Sequence, residues 1–281
     1  MTKKSIFFLL SFALCAMIHI SPARAGQSLV FGVHPFKAPE ELAKMFRPLL
    51  DYLQKETGST ISFRTAKDYD AALNALVAGD IQISYMGPSP YAMASGKYSD
   101  KIQLLGTLAN KGGDPTFKGV IIAREGSAIN SLADLKGKKF AFGDRDSTLS
   151  CYMPAAMLMK AGVFDGIEYK FLGSHDNVAK AVSMGMFDGG GIQPSIAEKY
   201  VGKGVKVIAE SEPVYEHVLV VSTSVDEETR NKLRSAVLNL KDRTVLDAIK
   251  KDMSGFVEGK PSDYDTLRIL MKEVDARIPL K

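Results

Sequence analysis

"YDAALNALVAGDIQISYMGPS", residues 69–89, and "HDNVAKAVSMGMFDGGGIQPS", residues 175–195, align without a gap at an offset of 106. Five positions are identical: Asp70, Ala75, Gly79, Pro88 and Ser89 recur as Asp176, Ala181, Gly185, Pro194 and Ser195. Each copy reads as a helix, a glycine stop, a short strand and a second helix opened by proline, the punctuation of a βαβ unit. Two such units can arise from shared rules without shared ancestry, but either way they imply two similar α/β halves. Ligands in open α/β sheets bind beyond the carboxyl ends of the strands, so the turns that lead into Tyr69 and His175 are where a site is expected.

The flanking sequence extends the pattern. "SLVFGV" (28–33) precedes the helical period of "PEELAKMFRPLLDYLQKETG" (39–58), and "TISFRTA" (60–66) leads into the first copy. "KKFAFGD" (138–144) precedes "STLSCYMPAAMLMKAGV" (147–163), and "YKFLGS" (169–174) leads into the second copy. Such alternation predicts a mainly parallel sheet flanked by helices in each half. "FKGVIIAR" (117–124) and "EPVYEHVLVVS" (212–222) are β-rich and bounded by turn residues, which suits strands that cross between halves. The expected architecture is α/β and two-lobed, with residues 26–118 and 218–281 in one lobe and 119–217 in the other. A single large sheet is the alternative.

Residues 1–25 read as a leader to be removed: Lys3 and Lys4 precede an apolar run ending at Ala23-Arg24-Ala25, an A-x-A cleavage pattern. The mature chain is thus expected to be exported and periplasmic. Cys15 follows the bulky Leu14, which does not suit a lipid-attachment signal, and only Cys151 would remain, so no intrachain disulfide is expected. Of 36 basic residues the leader takes Lys3, Lys4 and Arg24, leaving 33 against 32 acidic. That balance argues against nucleic acid as a partner, because backbone-phosphate binding needs a basic excess. No later stretch is long and apolar enough to span a bilayer, so a soluble protein is expected.

"GDRDSTLSCYMPAAM" (143–157) runs from a strand end into a helix and crowds Asp144, Asp146, Ser147, Thr148 and Ser150 at the junction. A single N-cap uses one such residue. The free N–H groups of a helix start favour an anion, and Ser147 and Thr148 add hydroxyl donors. Asp144 or Asp146 would repel an oxyanion unless a ligand proton lies between them, or Asp144 only fixes the loop. Arg145 either neutralises that arrangement or points to solvent. Tyr69 and His175, equivalent in the repeat, are expected to look into the gap between halves. "SYMGPSPYAMA" (84–94) adds Tyr85, Ser89 and Tyr91, with core packing the alternative for the two tyrosines.

Together, "PLLDYLQKETG", "DYDAALNALVAGDIQISYMGPSPYAMA", "FGDRDSTLSCYMP", "SHDNVAKAVSMGMFDGG" and "EPVYEHVLVVSTSVDEETRNKLRSAVLNL" resemble the phosphate/phosphite/phosphonate substrate-binding proteins of ABC transporters. The resemblance covers nearly the whole mature chain. It implies a type II periplasmic-binding-protein fold, capture of a small phosphorus oxyanion between two closing lobes, and delivery to an ABC permease driven by its ATPase. It implies oxyanion contacts from a Ser-Thr-Ser run opening a helix, from a Tyr matching Tyr69 and from a His matching His175. Ser147 and Thr148 fit that run, but Leu149 stands where a Ser is expected and Ser150 where Gly is usual, so Ser150 is a candidate replacement donor. Aminophosphonate-binding relatives place acids to meet an ammonium, whereas Gln193 and Ser195 here are neutral, which disfavours 2-aminoethylphosphonate.

Other classes fit less well. A hydrolase using Ser147, His175 and Asp176 would need Asp176 to orient its own neighbour, and no G-x-S-x-G elbow is present. His34, His175 and His217 are scattered along the chain without metal-ligand spacing, so neither a metal nor a cofactor is expected. A ligand-sensing partner of a membrane receptor would share every feature above.

Overall fold

The computed structural model describes residues 27–278; the leader read at 1–25, with Cys15, lies outside these described residues. The chain runs β1 (Ser28–Val33), α1 (Pro39–Thr57), β2 (Thr60–Thr65), α2 (Tyr69–Ala78), β3 (Ile83–Met86), α3 (Pro88–Lys97) and β4 (Ile102–Ala109) before it first crosses, through β5 (Thr116–Phe117) and β6 (Val120–Arg124). There follow β7 (Lys139–Phe142), a π turn (Thr148–Tyr152) continuing into α4 (Met153–Lys160), β8 (Glu168–Phe171), α5 (His175–Ser183), β9 (Gly189–Ile192), α6 (Pro194–Tyr200) and β10 (Val205–Glu210). The chain returns through β11 (Val214–Tyr215) and β12 (Val218–Ser222), and ends with α7 (Glu227–Asn239), α8 (Arg243–Ile249), β13 (Gly255–Val257) and α9 (Asp265–Asp275).

The strands form two main sheets, ordered β13-β4-β12-β3-β1-β2 and β10-β6-β9-β7-β8. Each is parallel at its centre: β1 lies between β2 and β3, and β7 between β8 and β9. Each also receives one antiparallel strand from the other half. β12 inserts between β3 and β4, and β6 between β9 and β10. The two sheets therefore repeat one topology, and the repeat registers with it: α2 and α5, β3 and β9, and α3 and α6 begin at positions 106 apart. Where the chain crosses, β5 and β11 pair antiparallel as a short two-stranded ribbon. The long crossing strands read from sequence are thus each broken in two.

Local chemistry accounts for the elements. Leu42, Phe46, Leu49, Leu50 and Leu53 of α1 recur at helical spacing and are all buried, facing Leu29, Phe31 and Val33 of β1. Burying each such side chain contributes about 1.5–3 kcal/mol. The helix stops at Gly58, whose φ of 73° is the left-handed cap conformation glycine adopts without Cβ strain. β9 opens with three glycines because helices crowd its faces: a Cβ on Gly191 would stand 2.2 Å from Pro154 of α4.

The C-terminal helix α9 belongs to neither sheet. It lies against α3 on one side and α4 on the other, and Leu267, Met271 and Val274 join an apolar cluster that includes Tyr91 and Leu158. Arg145 fastens it. The guanidinium is buried, reaches Asp275 at 2.6 Å and the Ile278 carbonyl, and lies over the Tyr152 ring at 5.0 Å. Among the described residues no helix is long and apolar enough to cross a membrane.

Candidate functional site

Asp68 caps α2 by accepting the Ala71 N–H at 2.7 Å, and Ser174 caps α5 by accepting the Asn177 N–H at 3.3 Å. Tyr69 and His175 are consequently the first residues of equivalent helices, and both are buried. They meet across one cavity that lies where the sheets' carboxyl edges face each other. From one sheet it takes His34 and Phe36 beyond β1, Tyr69 beyond β2, and Gly87 and Pro88 beyond β3. From the other it takes Ser147, Thr148 and Leu149 beyond β7, His175 beyond β8 and Gln193 beyond β9, while Phe117 and His217 close it at the crossing. The space left is about 10 Å³, roughly what one water occupies, so the halves are closed upon each other.

His175 is the clearest donor. Its Nδ1 accepts the Gln193 N–H at 3.0 Å, which leaves the ring proton on Nε2, 3.2 Å from Ser147 Oγ. Burial, and then the nearby His217, depress its pKa to about 3, so it stays a neutral donor. Ser147 Oγ accepts the Ser150 N–H at 3.2 Å as the cap of the π turn. Burial, and then the Asp144 charge, push the Tyr69 hydroxyl upward, so it also keeps its proton. The Thr148 and Leu149 N–H groups open the turn and have no intrahelical carbonyl to bond. Among the described residues no Asp, Glu, Lys or Arg side chain lines the cavity. Such a cluster of fixed, uncharged donors suits a small anion, whose water shell it replaces.

Of the nine candidate residues, Tyr69, Ser147, Thr148 and His175 line this cavity and five do not. Ser150 is committed elsewhere: its hydroxyl accepts the Gly143 N–H at 2.8 Å and donates to the Gly191 carbonyl, so it does not replace the donor missing at Leu149. Ser89 joins the halves. Its N–H reaches Thr148 Oγ1 at 2.8 Å, its Oγ lies 2.8 Å from the same atom, and its hydroxyl donates to the Asp146 carbonyl at 2.5 Å. Since Ser89 spends its proton on Asp146, Thr148 must give its own to Ser89. Tyr85 lies behind the cavity with its ring stacked 4.9 Å from His217, and Tyr91 packs edge-on against Tyr264 at 4.8 Å.

The acidic pair also faces away. Asp144 Oδ1 accepts the Asp146 N–H at 2.9 Å, and both residues line a separate crevice of about 830 Å³ with Asp70, Arg268 and Lys272. Burial, and then the Asp144 charge, raise the Asp146 carboxyl to about 6. Neither carboxylate is placed to share a proton with an occupant of the donor-lined cavity.

The sequence reading passed over His34, Phe36, Phe117 and His217. The histidines read as scattered in fact converge: the His34 ring lies 4.2 Å from Tyr69 and 6.1 Å from His217, and His175 lines the same space. They do not make a metal centre, as no group of three or more His, Cys, Asp or Glu among the described residues is arranged to hold one. His34 was findable, being the first residue beyond β1 by the rule that picked out Tyr69. His217 carried no such signal. It depends on Glu216, which is 1% exposed and bridges His217 Nδ1 at 2.7 Å and Lys250 Nζ at 2.5 Å.

Two lobes of repeated topology, meeting at a donor-lined cavity, define a two-lobed binding protein of the type II periplasmic class. Comparison with known proteins agrees. Residues 31–264 match the family model described as ABC transporter, phosphonate, periplasmic substrate-binding protein, and the chain belongs to that family. It is 27% identical over 226 residues to a phosphate-import protein of Mycolicibacterium smegmatis, covering 74% of this chain and 70% of that one. It is also 27% identical over 203 residues to a probable ABC transporter phosphite-binding protein of Prochlorococcus marinus, covering 68% and 67%. The structure of PhnD1 from Prochlorococcus marinus in complex with methylphosphonate superposes with a TM-score of 0.80 at 21% identity, covering 88% of this chain and 98% of that one. Family members are substrate-binding components of transporters, working with a small-molecule ligand and a membrane permease.

Proposed function

We propose that this protein captures a small phosphorus oxyanion, namely phosphate, phosphite or a simple phosphonate, in the periplasm and delivers it to an ABC permease. The observation that carries this is the meeting of the Tyr69 hydroxyl, the Ser147 hydroxyl and the His175 Nε2–H in a cavity whose lining, among the described residues, includes no Asp, Glu, Lys or Arg. The ligands named for its relatives, phosphate, phosphite and methylphosphonate, support it. The lobes are taken as residues 26–118 with 218–281, and 119–217, and the leader 1–25 as cleaved on export. Binding then works by population shift: donors from both lobes meet the ligand only when the lobes are closed, so the ligand favours that state.

Among the described residues no carboxylate lines the cavity to meet an ammonium, so 2-aminoethylphosphonate binds more weakly than phosphate or phosphite. Native mass spectrometry of the purified protein should find a co-purified anion of this class. Calorimetry with phosphite, phosphate and methylphosphonate should show binding that Ser147→Ala weakens about tenfold, the loss of one charge-assisted hydrogen bond. Absence of binding to all three, or a Ser147→Ala variant that binds like wild type, overturns the reading.

A further inference from the structure

Arg145 stands two residues before Ser147 in the segment that joins β7 to the π turn, and it is buried without lining the donor-lined cavity. Its side chain folds back over the turn it precedes. Nη1 approaches Cys151 Sγ at 3.8 Å, and the guanidinium lies 5.0 Å from the centre of the Tyr152 ring. Nη2 reaches outward to Asp275 Oδ1 at 2.6 Å and to the Ile278 carbonyl. One buried planar cation thus joins the turn that opens at Ser147 to the C-terminal end of α9.

The other end of α9 is fixed to the opposite half. β13, which leads into it, pairs with β4 of the first sheet, and Tyr264 donates its hydroxyl proton to the Glu216 carbonyl at 2.9 Å. Arg268 donates to the Ala92 carbonyl at 2.9 Å and to Ser95 Oγ at 2.6 Å, both on α3. A second ion pair, Arg277 with Asp165, also ties the end of α9 to the second half, but it is exposed and neither residue lines the cavity.

The turn that Arg145 covers has an uncommon geometry. The Cys151 and Tyr152 N–H groups both reach the Ser147 carbonyl at 3.0 Å, the widened spacing of a π turn, a form found mostly as single turns and often at functional sites. It sets the Thr148 and Leu149 N–H groups beside the Ser147 hydroxyl with no intrahelical carbonyl to bond. Time spent in any other geometry lowers the apparent affinity in proportion, because only the fraction of molecules with the donors in place binds ligand.

We propose that Arg145 is a positioning residue for ligand capture: by tying the π turn to α9 it holds the donors of Ser147, Thr148 and Leu149 in their binding geometry before the ligand arrives. This rests on the oxyanion reading above and adds to it a residue that touches no ligand.

Calorimetry with methylphosphonate compares wild type with Arg145→Met, Arg145→Lys and Asp275→Asn, and with Arg277→Ala as a control that loosens α9 without touching the turn. Each is measured where circular dichroism shows the chain fully folded, so that lost stability alone leaves affinity unchanged. Arg145→Met should bind about tenfold more weakly, as expected when the turn is in place about a tenth of the time. Arg145→Lys should recover only part of this, since an ammonium cannot serve Asp275 and Ile278 and cover Tyr152 at once. Arg277→Ala should bind like wild type. In the ligand-free proteins, hydrogen exchange of the amides at 148–152 should be faster in Arg145→Met, with α1 unchanged. An Arg145→Met affinity loss below about threefold, unchanged exchange at 148–152, or an equal loss in Arg277→Ala overturns the proposal. If Arg145→Met does not fold, Asp275→Asn decides: a loss of about threefold or more supports the proposal and a smaller one overturns it. Wild type that binds with variants unchanged sinks this proposal alone, whereas wild type that binds none of methylphosphonate, phosphite and phosphate sinks the oxyanion reading and this proposal with it.

Discussion

Ser89→Ala removes a side chain that never touches the cavity, yet it should weaken ligand binding. Ser89 opens α3 on one lobe, while its partners Thr148 and the Asp146 carbonyl belong to the segment after β7 on the other. The substitution deletes two hydrogen bonds and leaves a buried carbonyl and a buried hydroxyl proton unpaired. Hydrogen bonds of this kind contribute about 0.5–1.5 kcal/mol each, so the closed state loses about 1–3 kcal/mol. In an open state the same groups face water, and the loss there is close to nothing. All of it therefore appears in ligand affinity, as a roughly 5- to 150-fold higher Kd. Titration calorimetry with methylphosphonate on wild type, Ser89→Ala, Thr148→Val and the double variant measures it, and the double should cost less than the sum of the singles because the pair shares its bonds. A Ser89→Ala affinity within twofold of wild type, with scattering profiles showing normal closure, would refute the assignment of Ser89 as an interlobe contact.

Below about pH 6.5 the buried histidines should work against the fold, while Asp146, whose carboxyl is raised to about 6, offsets part of that loss because there the folded chain binds the extra proton. The pKa of His175 is about 3 in the folded state against an ordinary value of 6.5, so between these values the unfolded chain binds more protons and stability falls as pH drops below about 6.5. At pH 5 the effect is about 2 kcal/mol from His175 alone, and His34, also depressed by burial and then by His217, acts with the same sign. Urea unfolding at pH 7 and pH 5 should show the drop, and His175→Gln should reduce it. Lys250→Met leaves the buried Glu216 carboxylate to His217 alone and should cost about 1–3 kcal/mol in chemical denaturation, much of it recovered in Glu216→Gln/Lys250→Met. Asp144→Asn should leave the preference between phosphate and sulfate unchanged in competition binding, since the carboxylate does not line the cavity.

Much of the fold was legible because it is written locally. The caps Asp68 and Ser174, the stop at Gly58 and the alternation of strand and helix each depend on a few neighbouring residues. The 106-residue offset added the long-range fact that Tyr69 and His175 stand at matching strand ends. Less local elements escaped: β4 was passed over because its run "IQLLGTLA" is buried over most of its length and shows no alternation, and α8 because its seven residues make too few turns to show a period. Hydroxyls at the helix start were counted as donors from their type alone, but Ser150 and Thr148 are used by Gly191 and Ser89, residues 41 and 59 positions away.

The sequence by itself determined two βαβ halves, their facing strand ends and the four residues that meet there, because backbone punctuation and strand-end geometry are properties of short segments. Only the tertiary structure decided which hydroxyls remain free, where Asp144 and Arg145 point, and that His34, His175 and His217 share one space. Those outcomes depend on which side chains from distant segments arrive first at each donor or acceptor, and each buried group is fixed by that partner rather than by its neighbours in the chain.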